Sequence, residues 1–143
     1  MKIYLAGKMS GLTFEEMSEW RNETLVKLYN AAKFNGVKIN VIHPVMYYNF
    51  VEKRHQSEIE VEEFDLAHVI SSDIIIVNLD GLSSSIGTII ELHDAHYHHR
   101  IPVIEFGNKE LYDNLHPWIK NDITRVENNI DDVVTYIRDF YLI

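Results

Sequence analysis

The run Asp73-Ile74-Ile75-Ile76-Val77-Asn78 limits the fold more than any other part of the chain. Its apolar β-branched side chains leave no polar face, so a strand here must be covered on both sides. A central strand of a parallel sheet meets that demand, whereas a half-solvated antiparallel strand would alternate. The residues that follow extend the argument. Asp80-Gly81 and Ser83-Ser84-Ser85 are turn chemistry, and residues 86–99 then open a helix with Gly87 and Thr88 in its first turn. Strand, glycine-bearing turn and helix in this order form the repeating step of an α/β sheet.

The rest of the chain repeats the step. Residues 2–6 read as a first strand ending in the loop Gly7-Lys8-Met9-Ser10-Gly11. Thr13 and Glu16 have capping-box spacing, and Phe14, Met17, Leu25, Leu28 and Tyr29 recur at helical intervals until Asn35-Gly36. Residues 37–42 read as a strand stopped by His43-Pro44, and residues 45–56 as an aromatic, irregular segment near the crevice. A helix over residues 57–71 carries Ile59, Phe64, Leu66, Val69, Ile70 and Asp65. A strand at 101–105, a short one at 123–126 and a helix at 130–141 complete the series. The pattern predicts one domain over residues 1–143, a doubly wound five-stranded parallel sheet of order 2-1-3-4-5. Tyr141-Leu142-Ile143 reads as a terminus that docks, either on its own fold or on a partner.

Charge and composition exclude several classes. With 13 Lys plus Arg against 22 Asp plus Glu, a net charge of -9 leaves no basic face to replace phosphate counterions, so no nucleic-acid partner is expected. Cysteine is absent, which removes disulfides and thiolate metal sites. The apolar start is too short for a signal peptide, and no run reaches the roughly 20 residues of a membrane span. The expectation is a cytoplasmic protein without a membrane partner.

In a sheet of this order the ligand crevice opens between the first and third strands, so the loops 7–11 and 79–87 should line it together. Ser85 stands where an N-cap would, and Gly87 and Thr88 leave helix-start amides free for a phosphate or carboxylate. Glu91 lies four residues beyond Gly87, on the same helix face, where an ionised carboxylate can attack an anomeric carbon. Asp65 is either a second carboxylate that handles the proton on a leaving base or one acid of the solvated face around Glu62 and Glu63. Tyr4 either holds Glu91 by its hydroxyl or simply packs. Tyr47, Tyr48 and Phe50 can stack a nucleobase or form lid packing. His93 and His96, at an i,i+3 interval beside His98 and His99, read as packing or solvent-facing imidazoles rather than a metal pair. His116-Pro117-Trp118 reads as a turn anchor.

Three segments together resemble the nucleoside 2-deoxyribosyltransferase superfamily: Ile3-Tyr4-Leu5-Ala6-Gly7, the run from Ser72 through Asn78 to Leu79-Asp80-Gly81, and Gly87-Thr88-x-x-Glu91 followed by Ala95. The resemblance covers residues 1–104. It implies a flavodoxin-like fold, a homo-oligomer (dimer or higher), and a covalent glycosyl intermediate on Glu91, with Asp65 assisting the base and Tyr4 beside the nucleophile. Gly7, Lys8, Met9, Asp80, Ser85, Gly87 and Thr88 would contact the substrate, and neither a metal nor an organic cofactor is needed. Many transferases of this group carry Asp where this chain has Ser85. The branch of 2'-deoxynucleoside 5'-monophosphate N-hydrolases resembles it in having Ser there, since a hydroxyl can donate to a phosphate that an acid would repel. Lys8 adds a local positive charge for the same group, whereas Asp80 could instead take a free 5'-hydroxyl. The expected function is therefore cleavage or transfer of the N-glycosidic bond of (deoxy)nucleosides or their 5'-monophosphates. The alternative of another class is a non-catalytic binder of a nucleotide-derived signal.

Overall fold

The computed structural model describes residues 1–48 and 51–143 of the chain, so Phe50 lies outside the described residues. Five strands, β1 (Lys2–Ala6), β2 (Asn40–Ile42), β3 (Ile74–Asn78), β4 (Val103–Phe106) and β5 (Arg125–Glu127), form one all-parallel sheet of order β2-β1-β3-β4-β5. Helices cover both faces. The flavodoxin-like order expected from the alternating pattern is the order observed.

Strand alternation decides what each face receives. Ile3 and Leu5 of β1, with Ile74, Ile76 and Ile104, pack beneath α1 (Phe14–Phe34) and α6 (Ile130–Phe140), where Leu28, Ala32, Val133 and Ile137 are buried. Tyr4 and Ala6, with Ile75, Val77 and Val103, point the other way, toward α2 (Glu58–Ile70) and α3 (Ile86–His93). The terminus closes on its own fold: Leu142 is buried and its carbonyl accepts a 2.7 Å hydrogen bond from Asn35 Nδ2.

α1 starts with the expected capping box, in which the Thr13 hydroxyl accepts from the Glu16 amide and Glu16 accepts from the Thr13 amide. Other boundaries move for physical reasons. β2 begins at Asn40 rather than 37 because its ladder with β1 starts at the Lys2–Asn40 pair, while Val37 still bonds back to Ala32 at the end of α1 and the Lys38 carbonyl meets the Met1 amino group. β4 begins after Pro102, which has no N–H to donate to the ladder. The helix expected over 86–99 stays α-helical only to His93, and Asp94–His98 form a wider π turn. That turn closes with Arg100 in the left-handed region at φ 58° and the Ile101 amide bonded to the Ala95 carbonyl. Two short helices, α4 (Lys109–Asp113) and α5 (Pro117–Lys120), are too brief to produce a periodic signal. His116 anchors the second of them, its Nδ1 accepting from the Trp118 amide, while Trp118 itself is exposed.

Candidate active site

β1 and β3 are neighbours whose chain connections leave in opposite directions along the sheet, so a crevice opens beyond their carboxyl ends. A cavity of about 260 Å³ lies there, lined by Gly7, Lys8, Met9 and Ser10 from the first loop, Asp65 from α2, and Ser84, Ser85, Ile86, Gly87, Thr88 and Glu91 at the start of α3. Gly7 thus meets Asp65, 58 positions away, and Glu91, 84 positions away, in one pocket.

Tyr4 lies beneath it, fully buried, and donates a 2.7 Å hydrogen bond to Glu91 Oε1. Glu91 is half-buried, and Oε2 accepts no hydrogen bond among the described residues. Burial pushes its carboxyl up to about 8, nearby Asp65 adds to the rise, and the Tyr4 hydroxyl and Arg21 oppose it. Asp65 is likewise raised by burial, against the pull of the Tyr48 hydroxyl and Arg21. Tyr4, surrounded by protein and facing two acids, stays protonated and is purely a donor.

Arg21 was not singled out by sequence reasoning. It is fully buried on α1, donating from Nε to the Leu5 carbonyl (3.2 Å), from Nη1 to Met17 (2.5 Å) and from Nη2 to Gly7 (2.8 Å). Burial lowers its pKa to about 10, so it remains a cation at neutral pH beneath the two acids. The signal was present: Met17, Arg21, Thr24 and Leu28 fall on one helical stripe, and a charge on a buried stripe calls for a role. The same guanidinium shapes the loop. A Cβ on Gly7 would sit 2.9 Å from the Trp20 ring and 3.3 Å from Arg21 Nη2, so only glycine passes here without displacement.

The helix start differs from expectation in one respect. Ser85 precedes α3, but its hydroxyl lies 2.8 Å from Thr88 Oγ1 and does not cap a backbone amide. The hydroxyl pair takes the capping oxygen out of reach, which leaves the first amides of α3 without a side-chain acceptor. Gly87 faces open space where a Cβ would be, and Lys8 Nζ donates to Ser84 Oγ at 3.1 Å on the same rim. Asp80 is not part of this group. It lines a different cavity of about 360 Å³ with Asn78, Glu16 and Trp20, on the far side of Lys8. Asp65 and Glu91 are thus the carboxylates that line the crevice.

The aromatic segment divides. Tyr47 stacks on His68 at 5.6 Å, and Tyr48 donates a 2.6 Å hydrogen bond to Asp65 Oδ2. The histidines of the third helix differ as well: His93 Nδ1 lies 2.9 Å from Asp122 Oδ2 and its ring stacks on Tyr97, whereas His96 Nδ1 is buried with no hydrogen-bond partner among the described residues. Among the described residues no group of three or more His, Asp or Glu could hold a metal ion, and no helix is long and apolar enough to cross a membrane.

Solved structures with the same fold include a conserved protein from Enterococcus faecalis V583, at TM-score 0.76 and 17% identity over 96% of this chain and 97% of that one. A 2-deoxyribosyltransferase from Bacillus psychrosaccharolyticus matches at TM-score 0.63 and 22% identity, over 95% of this chain and 92% of that one. A CMP N-glycosidase from Clostridium botulinum matches at TM-score 0.51 and 14% identity, over 99% of this chain and 100% of that one. At these identities the likeness establishes a shared fold. No protein-family model and no curated protein sequence matches the chain.

Proposed function

We propose that this protein is a member of the nucleoside 2-deoxyribosyltransferase superfamily that breaks the N-glycosidic bond of a (deoxy)nucleoside or its 5'-monophosphate, with Glu91 as nucleophile. The observation that carries the reading is the Tyr4 to Glu91 hydrogen bond of 2.7 Å in a crevice that Asp65 also lines. Two of the fold neighbours are named for this chemistry, one as a transferase and one as an N-glycosidase.

Each carboxylate has a distinct task. Tyr4 ties up Oε1 of Glu91 and leaves Oε2 to attack C1' of the sugar. As that bond forms, the bond from C1' to the base breaks, its electron pair goes to the base nitrogen, and Asp65 supplies the proton. In the second step water or another base attacks C1', Glu91 departs as a carboxylate, and Asp65 takes up the proton of the attacking group. Arg21 beneath the site opposes the upward shift of both acids.

A specific observation favours the 5'-monophosphate and hence the N-hydrolase alternative. The rim around the start of α3 offers Lys8, Ser84, Ser85 and amides of Ile86, Gly87 and Thr88, whereas Asp80 faces the other cavity. Incubation with deoxynucleosides and with their monophosphates, with and without an acceptor base, separates the readings by chromatography. Free base and sugar phosphate from monophosphates alone are expected; base exchange would assign transfer, and no product from any of them would leave only the binding-protein reading.

The protein also acts as a homo-oligomer in this proposal. Ile59 (70% exposed) on α2, Ile86 (75%) and Ile90 on α3, and Tyr97 in the turn after it are apolar side chains left open to solvent, the kind of surface a second copy would cover. Ile86 belongs to the crevice rim, so a second copy seated here would border the site.

A further inference from the structure

The geometry points to Tyr48 as a positioning residue that fixes the Asp65 carboxyl group and stabilises the carboxylate Asp65 becomes on protonating the leaving base. This inference rests on the proposed role of Asp65. Tyr48 follows the short turn Pro44–Met46 at the carboxyl end of β2, and its hydroxyl reaches Asp65 Oδ2 at 2.6 Å, a length typical of donation to a carboxylate. With one oxygen held, the carboxyl group cannot rotate freely about its Cβ–Cγ bond, and Oδ1 accepts no other hydrogen bond among the described residues. The arrangement repeats the one on Glu91, where Tyr4 holds Oε1 at 2.7 Å. Two tyrosines, one within β1 and one beyond the end of the neighbouring β2, thus each hold one oxygen of one acid.

The half-buried ring of Tyr48 also lines a second cavity of about 210 Å³, with Tyr47, Arg54, His55, Glu60, Val61 and Phe64. Tyr48 therefore forms part of the wall between that cavity and Asp65.

The groups around Asp65 come from four elements: Tyr48 from the β2–α2 connection and Arg21 from α1, which act on it, and Glu91 from α3 and Tyr4 from β1, which feel its charge. Burial favours the protonated acid, while the Tyr48 hydroxyl and Arg21 favour the carboxylate. That balance suits a group that must hold a proton and then release it. When the C1'–N bond breaks, the proton on Oδ1 passes to the base nitrogen, and the charge left on the carboxylate meets the Tyr48 O–H already in place. Tyr48 itself stays protonated throughout, because burial and the adjacent acid push its phenol well above its usual range.

The test compares wild type, Tyr48→Phe, and a protein with 3,5-difluorotyrosine at position 48, an isostere with a stronger donor. In each, the side-chain carboxyl of Asp65 is followed by carbon NMR against pH, with its resonance assigned through Asp65→Asn. The Asp65 titration is expected to move up in Tyr48→Phe and down with the fluorinated residue. In the activity arm, Tyr48→Phe should lower kcat about tenfold with little change in KM for an ordinary nucleotide. The loss should largely vanish for a substrate whose base is quaternised and leaves without a proton. Equal losses on both substrates, or an Asp65 titration indifferent to the residue at 48, would overturn the inference. If the wild type turns over no nucleoside or nucleotide, the proposed reaction fails, while the carbon titration still decides whether Tyr48 governs Asp65.

Discussion

The hydroxyl of Tyr4, in the middle of the first strand, donates to the carboxylate of Glu91 in the third helix across 87 positions of sequence. The contact exists because Tyr4 points to the α2–α3 face, opposite its neighbours Ile3 and Leu5, and because β1 lies directly beside β3, with Tyr4 paired to Ile75. A shift of β1 by one residue would turn the hydroxyl into the other core.

Tyr4→Phe removes the donor and keeps the ring. The lost hydrogen bond to an ionised group, about 1.5–3 kcal/mol, corresponds to a fall of roughly ten- to a hundredfold in kcat/KM at neutral pH. Because Tyr4 holds the Glu91 pKa down, the pH at which activity rises should move upward in the variant. A pH–rate profile measures both effects.

Glu91→Gln should lower turnover roughly a thousandfold or more while ligand binding persists, seen as a nucleotide-induced rise in Tm without product. The same variant reports on stability. Glu91 is raised from 4.5 to about 8, so the folded state binds its proton more tightly, and the resulting stabilisation is lost as pH rises from 4.5 to 8. The variant should therefore gain on the wild type across that interval, which thermal melts at successive pH values would follow.

Glu105 sits wholly buried on β4, facing the same side as Val103, with both carboxyl oxygens lacking a partner among the described residues. Burial raises it from 4.5 to about 8, so its contribution is greatest below pH 4.5 and is lost progressively up to pH 8. Glu105→Met replaces a desolvated acid by an apolar chain of similar length. We expect a gain of about 1–3 kcal/mol at pH 8, shrinking toward pH 4.5, by denaturant titration.

Ile90→Glu places a charge among the exposed apolar side chains of α3, at a position that precedes Glu91 but does not line the crevice. Light scattering should report a smaller particle than wild type. An unchanged mass would place any association on another surface.

The parts legible from sequence are those governed by short-range rules. Ile74 to Val77 could only be a strand covered on both sides, Thr13 with Glu16 could only begin a helix well, and together such signals yield a parallel sheet and its order. The candidate residues of the two glycine-bearing loops were legible too, because the crevice position follows from strand order. Strand ends were less so: β2 starts where Lys2 of β1 provides a partner, which no local propensity encodes.

Tertiary structure alone decided the rest, since orientation depends on packing between segments far apart in sequence. It turned Asp80 toward the cavity beside Glu16 and Trp20, set Ser85 against Thr88 instead of the helix amides, and drew Arg21 under the crevice. It also aimed Tyr48 at Asp65, 17 positions away. Spacing within a helix or strand fixes which side chains share a face. Which groups then touch is settled by the register of β1 against β3 and by how closely α1, α2 and α3 approach the sheet.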